Sequence, residues 1–110
     1  MFEDHFKEFR KTLSREVLKK LYQVLNLIMV VQVIPPKFLK SIEGRGGLFE
    51  IRIEQGNNIY RVFCCFDKGN LVILFNGFQK KTQKTPQRQL DKAEALMKKY
   101  FEQKKKQDNG

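Results

Sequence analysis

Residues 49–76 of the 110-residue chain read FEIRIEQGNNIYRVFCCFDKGNLVILFN, and this stretch decides the fold class. Apolar and charged residues alternate from Phe49 to Glu54, a pattern typical of a strand with one buried face. Gly56-Asn57-Asn58 is a hairpin turn signal, and a second turn signal spans residues 67–70. We therefore predict an antiparallel meander of three strands, with the second strand at 59–66 and the third at 71–76.

Helical periodicity precedes this predicted meander. Four apolar residues recur at helical spacing along one stripe: Phe2, Phe6, Phe9 and Leu13. Ser14 is suited to cap a second helix, and Pro35-Pro36 ends any helix before it. We predict a short helix at residues 37–42 and a glycine-rich loop at 44–47.

A final helix follows the predicted meander. Thr85 fits its N-cap and Pro86 its first position, while an apolar stripe continues as far as Phe101. Residues 103–110 are expected to fray at the chain end. The predicted architecture is a single α+β domain, residues 1–110, with N-terminal helices packed on a small antiparallel meander and a C-terminal helix.

Charge points to a polyanionic partner. The chain has 22 Lys and Arg against 12 Asp and Glu, a formal net charge of +10 and a pI near 9.8. Ten of the basic residues and four of the acidic ones lie from residue 80 onward. On a terminal helix such lysines are usually a solvated face, whereas Lys80, Lys81 and Lys84 are predicted in a loop beside the sheet, where they can neutralise phosphates.

Composition also excludes several classes of protein. No apolar run reaches membrane-spanning length, and the acidic N-terminus is unlike a secretory signal. Cys64 and Cys65 are adjacent and should point to opposite faces of a strand, so no bridge between them is expected. With one histidine, His5, no metal site or cofactor is expected, and a reduced cytoplasmic location is the default.

Strand parity predicts which side chains meet. A two-residue first turn places Arg52 and Arg61 on one face of the sheet, opposite an apolar face. A second turn at Lys68-Gly69 would pair Phe66 with Leu71 and Arg61 with Asn76. The loop 77–81 would then leave from the same end and bring Phe78, Lys80 and Lys81 to the two arginines.

This predicted cluster has two interpretations at each position. Two guanidinium groups can bind a phosphate bidentately, and Phe78 can stack on a base. Alternatively, either arginine forms a salt bridge with Glu50 or Glu54, and Phe78 belongs to the core. The strongly positive balance of the cluster favours the first interpretation.

Three strings resemble the phage-derived HigB-type branch of the RelE toxin superfamily: GLFEIR at 47–52, YRVF at 60–63 and FNGFQKKTQKTP at 75–86. The resemblance covers roughly residues 5–101 and implies the toxin of a type II toxin–antitoxin pair that enters the ribosomal A site and cleaves messenger RNA. It also implies a helix-turn-helix antitoxin as partner, with operator DNA bound only through the toxin–antitoxin complex, and no membrane partner.

The resemblance assigns roles by position. Arg61 matches the phosphate-binding arginine of the superfamily, and Arg52 matches a position that is usually basic. Lys80, Lys81 and Lys84 match the basic motif of this branch. Two departures stand out: related sequences usually open with a strand before the first helix, and many carry histidine where this chain has Asn76.

The resemblance, together with the basic cluster, implies a metal-independent endoribonuclease. The candidate catalytic residues are Arg52, Arg61, Lys80, Lys81 and Lys84. The candidate RNA contacts are Phe78, Asn76 and Arg88. A non-catalytic RNA- or DNA-binding protein and a protein-interaction module with a basic docking face are the alternatives.

Overall fold

The computed structural model describes residues 2–69, 71–81 and 84–109. Its architecture is α+β, as predicted, with an antiparallel sheet of four strands between helices. In chain order the elements are α1 (His5–Arg10), α2 (Arg15–Val30), β1 (Leu39–Ser41), β2 (Phe49–Gln55), β3 (Asn58–Asp67), β4 (Leu71–Lys80) and α3 (Gln87–Asn109).

The N-terminal helices follow from local sequence signals. Ser14 caps α2, because its hydroxyl oxygen accepts a hydrogen bond from the Val17 backbone N–H at 3.3 Å. Four residues of α2 spaced along one stripe are buried: Val17, Leu21, Val24 and Ile28. The helix ends at Val30, five residues before Pro35.

The sheet has one strand more than predicted. Its order is β1-β2-β3-β4, with every neighbouring pair antiparallel. The helix predicted at residues 37–42 is wrong, since Leu39 pairs with Ile51 and Ser41 with Phe49 at the edge of β2. The exposed edge of β2 offers hydrogen-bond partners that override the weak helical pattern of so short a segment.

The predicted register holds in the first hairpin and fails in the second. Arg52 lies directly opposite Arg61, as a Gly56-Asn57 turn requires. In the second hairpin Asp67 pairs with Leu71, one position away from the predicted pairing, and an irregularity between Val62 and Cys64 adds a further shift. Arg61 therefore lies opposite Phe78 rather than Asn76, and β4 continues to Lys80 through what was predicted to be a loop.

Helices cover both faces of the sheet. The N-terminal helices pack on the predicted apolar face, where Ile51, Ile53, Val62 and Cys64 are buried. The other face packs on α3, with Leu48, Phe63, Cys65, Ile73 and Phe75 in its core. The predicted second turn, which pairs Phe66 with Leu71, would also pair Cys64 with Ile73 and Val62 with Phe75 on the first face, and the shifted register places Ile73 and Phe75 on the other face instead. Cys64 and Cys65 are free and buried, one on each face, as predicted.

Two details of the chain ends differ from prediction. Helix α3 begins at Gln87 and extends to Asn109, so residues 103–109 are helical rather than frayed. Lys104 explains part of this extension, since its ammonium donates to both carboxylate oxygens of Asp67 at 2.6 Å. At the other end, Phe2, which the apolar stripe predicts in the first helix, lies before α1 (His5–Arg10), and its backbone N–H donates to the Leu74 carbonyl on the outer edge of β4 at 3.0 Å. Within the described ranges, no helix has the length and apolar character that crossing a membrane requires.

Candidate nucleic-acid interface

Two arginines and an aromatic ring form one row across three strands. Arg52 on β2 lies opposite Arg61 on β3, which lies opposite Phe78 on β4. Lys80 follows two residues after Phe78, on the same face, at the end of β4. The sheet thus brings three of the five candidate catalytic residues, Arg52, Arg61 and Lys80, to one end of the face that α3 covers only in part.

A buried carboxylate joins this row. Glu50 is 8% exposed, and its Oε2 lies 3.2 Å from Nε of Arg61, while its Oε1 lies 4.0 Å from Nε of Arg52. We call Glu50, Arg52, Arg61 and Lys80 the basic site. Of the two acids that the sequence offered as salt-bridge partners, Glu50 is the one that contacts the arginines. The period-2 pattern of β2 already placed it on their face.

The ion pair between Glu50 and Arg61 is close but poorly aligned. Although the two atoms are 3.2 Å apart, neither Nε of Arg61 nor Oε2 of Glu50 has a hydrogen-bond partner of good geometry among the described residues. Arg61 donates instead from Nη1 to the Tyr60 carbonyl at 3.1 Å, and Arg52 donates to the Pro36 carbonyl at 3.4 Å. The buried guanidinium of Arg61 therefore retains unused donor capacity.

Burial and neighbouring cations perturb titration at the basic site. Burial, and after it the charge of Arg52, lowers the pKa of Arg61, whereas Glu50 and Glu54 raise it. Burial, and after it the charge of Arg61, likewise lowers the pKa of Lys80. The site holds more positive charge than its single buried carboxylate offsets, a state that an incoming anion would stabilise.

Phe78 and Asn76 are packed under α3. Phe78 is 9% exposed and stacks on Phe63, with ring centroids 5.8 Å apart. Asn76 is 3% exposed, and its Nδ2 donates to both the carbonyl oxygen and Oε1 of Gln89. Of the two interpretations of Phe78, the structure therefore favours a core position, while its role and that of Asn76 as RNA contacts stay predictions.

The remaining candidate residues follow the basic site along the chain. Lys81 and Lys84 are exposed in the segment between β4 and α3, and Arg88 is exposed in the first turn of α3. Thr82 and Gln83, the centre of the GFQKKTQKTP motif, lie outside the described residues. The catalytic roles of Lys81 and Lys84 and the RNA contact of Arg88 therefore stay predictions.

Several cations of α3 have acidic partners away from the basic site. Lys98 pairs with Glu94 at 3.5 Å, Lys99 with Glu3 at 2.6 Å, and Lys104 with Asp67. Across the part of the chain that the structure describes, no three His, Cys, Asp or Glu side chains group closely enough to hold a metal ion.

Comparison with known proteins gives one match over most of the chain. The family described as "Phage derived protein Gp49-like (DUF891)" matches residues 7–98, a span that includes both arginines, all three motif lysines and about the first half of α3. No curated protein matches the chain.

Proposed function

The chain belongs to the phage-derived Gp49-like family, and from this premise we propose that it is a HigB-type toxin of a type II toxin–antitoxin system, a ribosome-dependent endoribonuclease that cleaves messenger RNA. The family is one of RelE- and HigB-like toxins. A toxin of this kind acts on a polyanion, in agreement with the net charge of +10.

The observation that carries the proposal is the pairing of Arg52 with Arg61 across β2 and β3. If the site had only a structural role, one arginine would be enough to pair with Glu50. A second cation held beside the first costs free energy. A phosphate bound to both guanidinium groups offsets that cost through charge-assisted hydrogen bonds. The site is therefore suited to an anion that carries more than one negative charge, such as the transition state of phosphodiester cleavage.

The proposed reaction needs no water in its first step. The 2′-hydroxyl of one nucleotide loses its proton to a base as its oxygen attacks the adjacent 3′-phosphorus. The bond to the 5′-oxygen of the next nucleotide breaks, this oxygen takes a proton from an acid, and the products are a 2′,3′-cyclic phosphate and a 5′-hydroxyl. Arg52 and Arg61 stabilise the charge that develops on the phosphoryl oxygens. Lys80, whose pKa is lowered, is suited to exchange a proton with the attacking or leaving oxygen.

Other residues act through this centre. Glu50 orients Arg61 as a positioning residue and is the one buried carboxylate at the basic site. Lys81, Lys84 and Arg88, exposed between β4 and the start of α3, bind flanking phosphates. Phe78 lies opposite Arg61 on the neighbouring strand and supports it. Asn76 contacts RNA only if its amide gives up its hydrogen bonds to Gln89 and binds the substrate instead.

The proposal includes the partners. The ribosome would supply the substrate geometry that a weak isolated site lacks, and a helix-turn-helix antitoxin would bind the toxin and block it. Operator DNA would be bound through that complex, in the cytoplasm.

The decisive experiment is induced expression of the chain without its neighbouring gene, with mapping of messenger RNA ends. Growth arrest and cuts in translated messages are expected for the wild type and for Lys105→Ala, an exposed tail lysine. Arg61→Ala and Lys80→Ala should abolish the cuts, with folding checked by circular dichroism, whereas Lys81→Ala should only weaken them. Full cleavage by Arg61→Ala and Lys80→Ala would refute the assignment, and salt-sensitive RNA binding without any cleavage product would favour the non-catalytic alternative.

A further inference from the structure

A cleft of about 430 Å³ opens beside Arg52, between α2 and the free edge of β2. We call it the α2–β2 cleft. Its walls combine an apolar surface, formed by Val24, Leu27 and Phe38, with the cations Lys20 and Lys37 as well as Arg52. Among the described residues that line the cleft, Glu54 alone is acidic.

The cleft exists because β1 is short. Beyond the pairing of Leu39 with Ile51, no strand of the described chain lies on the β1 side of β2, and the segment before β1 crosses this edge instead. The Arg52 backbone N–H donates to the Phe38 carbonyl at 2.8 Å, and Lys20 Nζ donates to the Glu54 carbonyl at 2.8 Å. The first bond holds the segment before β1 against β2, and the second holds α2 against β2.

The lining combines an apolar wall with positive charge. Lys37 Nζ lies 5.0 Å from the centre of the Phe38 ring, so a cation already stands over the aromatic wall. Lys20 uses one of its three N–H donors on Glu54 and retains two. A ligand that fills such a cleft has a flat apolar body and an anionic group, and the volume lies in the range of small-ligand sites.

We propose that the α2–β2 cleft binds one nucleotide of single-stranded RNA, next to the phosphate held at the basic site. The base lies against Val24 and Leu27, and its phosphate meets Lys20, Lys37 and Arg52. Arg52 is shared, since it lines the cleft and also lies opposite Arg61. This inference rests on the proposed function for its neighbouring phosphate, but the cleft itself can be tested without cleavage.

The test is a titration of the full chain with the four ribonucleoside 5′-monophosphates, followed by NMR. Resonances of α2 and of residues 37–38 should shift on binding. Leu27→Glu places a carboxylate in the cleft from a half-buried helix position, and Lys37→Ala removes one cation. Each should weaken binding roughly tenfold, because Leu27→Glu adds a charge that repels the nucleotide phosphate and Lys37→Ala removes a charge-assisted contact. Lys19→Ala, exposed on the same helix outside the lining, should change the affinity less than about twofold.

The outcomes separate this inference from the proposed function. Equal affinity of wild type and Leu27→Glu, or equal affinity of wild type for a nucleotide, inorganic phosphate and a tetraglutamate peptide, would overturn the nucleotide site. If ribosome-dependent cleavage then persisted with unchanged sequence preference in Leu27→Glu, the proposed function would stand alone. Conversely, nucleotide binding that Leu27→Glu abolishes, in a chain that cleaves nothing, would support the cleft and refute the endoribonuclease.

Discussion

Nε of Arg61 lies 3.2 Å from Oε2 of Glu50, and both side chains are withdrawn from solvent, with 5% and 11% exposed. A single carboxylate thus holds the more buried of two facing arginines at the end of the sheet. Removal of one partner from such a pair leaves the other as an uncompensated buried charge. The basic site is therefore linked to the stability of the fold as well as to its proposed chemistry.

Glu50→Gln should destabilise the chain by about 2 kcal/mol, because the amide keeps the shape of the side chain but leaves the Arg61 charge unpaired. The measurement is urea unfolding at neutral pH. Glu54→Gln is the matched control, since Glu54 is an exposed acid on the same strand and face, and it should change stability by less than about 0.5 kcal/mol. Equal losses in the two variants would show that the Glu50–Arg61 pair contributes nothing specific.

Lys80→Met should stabilise the chain at neutral pH. The pKa of Lys80 is lowered from its usual 10.5 by burial and by Arg61, so in the interval between the folded and unfolded pKa values the unfolded state binds more protons. The cost of the Lys80 charge is fully present below that interval and disappears as pH rises through it toward 10.5. The advantage of Lys80→Met should therefore shrink with increasing pH in thermal unfolding scans.

Lys81→Met is the control for that pH dependence, because Lys81 is exposed at the next position. Its stability should follow that of the wild type within about 0.5 kcal/mol throughout. A Lys80→Met variant that is less stable than wild type at neutral pH would contradict the finding that burial and Arg61 disfavour the ammonium. A gain at Lys80 together with a loss of cleavage would be a stability–activity trade-off.

The arginine pair could be predicted from sequence, whereas its surroundings could not. Alternation in β2 and the short Gly56-Asn57 turn fix the register of the first hairpin, and with it the facing of Arg52 and Arg61. Residues 71–75 are all apolar, so parity carries no information there about which side chains face α3. The irregularity between Val62 and Cys64 leaves no periodic signal either, and together with the one-residue shift at the second turn it moves Phe78 into the place predicted for Asn76.

Segments whose structure depends on distant partners also could not be predicted from sequence. β1 is three residues long, too short for a period, and forms because the edge of β2 lies beside it. The α2–β2 cleft depends on that short strand and on the backbone bond between Arg52 and Phe38. Neither feature has a local pattern, so both emerge only when the chain is folded.

Gly77→Ala should destabilise the fold by about 2 kcal/mol through overpacking. Gly77 lies in β4 opposite Val62, and a Cβ there would clash with the Phe9 ring of α1. Position 77 therefore requires glycine because α1 packs closely against β4 there, and not because the backbone of the predicted loop 77–81 must be flexible. Phe9→Leu in the same chain should recover part of the loss, giving a coupling energy of about 1 kcal/mol in a double-mutant cycle of urea unfolding. Strictly additive effects would show that the Phe9 ring does not limit position 77.

Asp67→Asn should lower stability at neutral pH and loosen the last turns of α3. The Asp67 carboxylate accepts hydrogen bonds from Lys104 and from the Tyr100 hydroxyl at 2.7 Å, and these bonds lower its pKa below the usual 3.8. A carboxyl of this kind stabilises the fold above pH 3.8, and its contribution disappears as pH falls through the folded value. The difference between wild type and Asp67→Asn should therefore be largest at neutral pH and vanish in acid.

Burial and the Asp67 bond raise the pKa of Tyr100 to about 12, so its ultraviolet titration should move to lower pH in the variant. Hydrogen exchange at residues 103–107 should accelerate at the same time, whereas unchanged exchange there would mean that α3 keeps its length without the Asp67 contact.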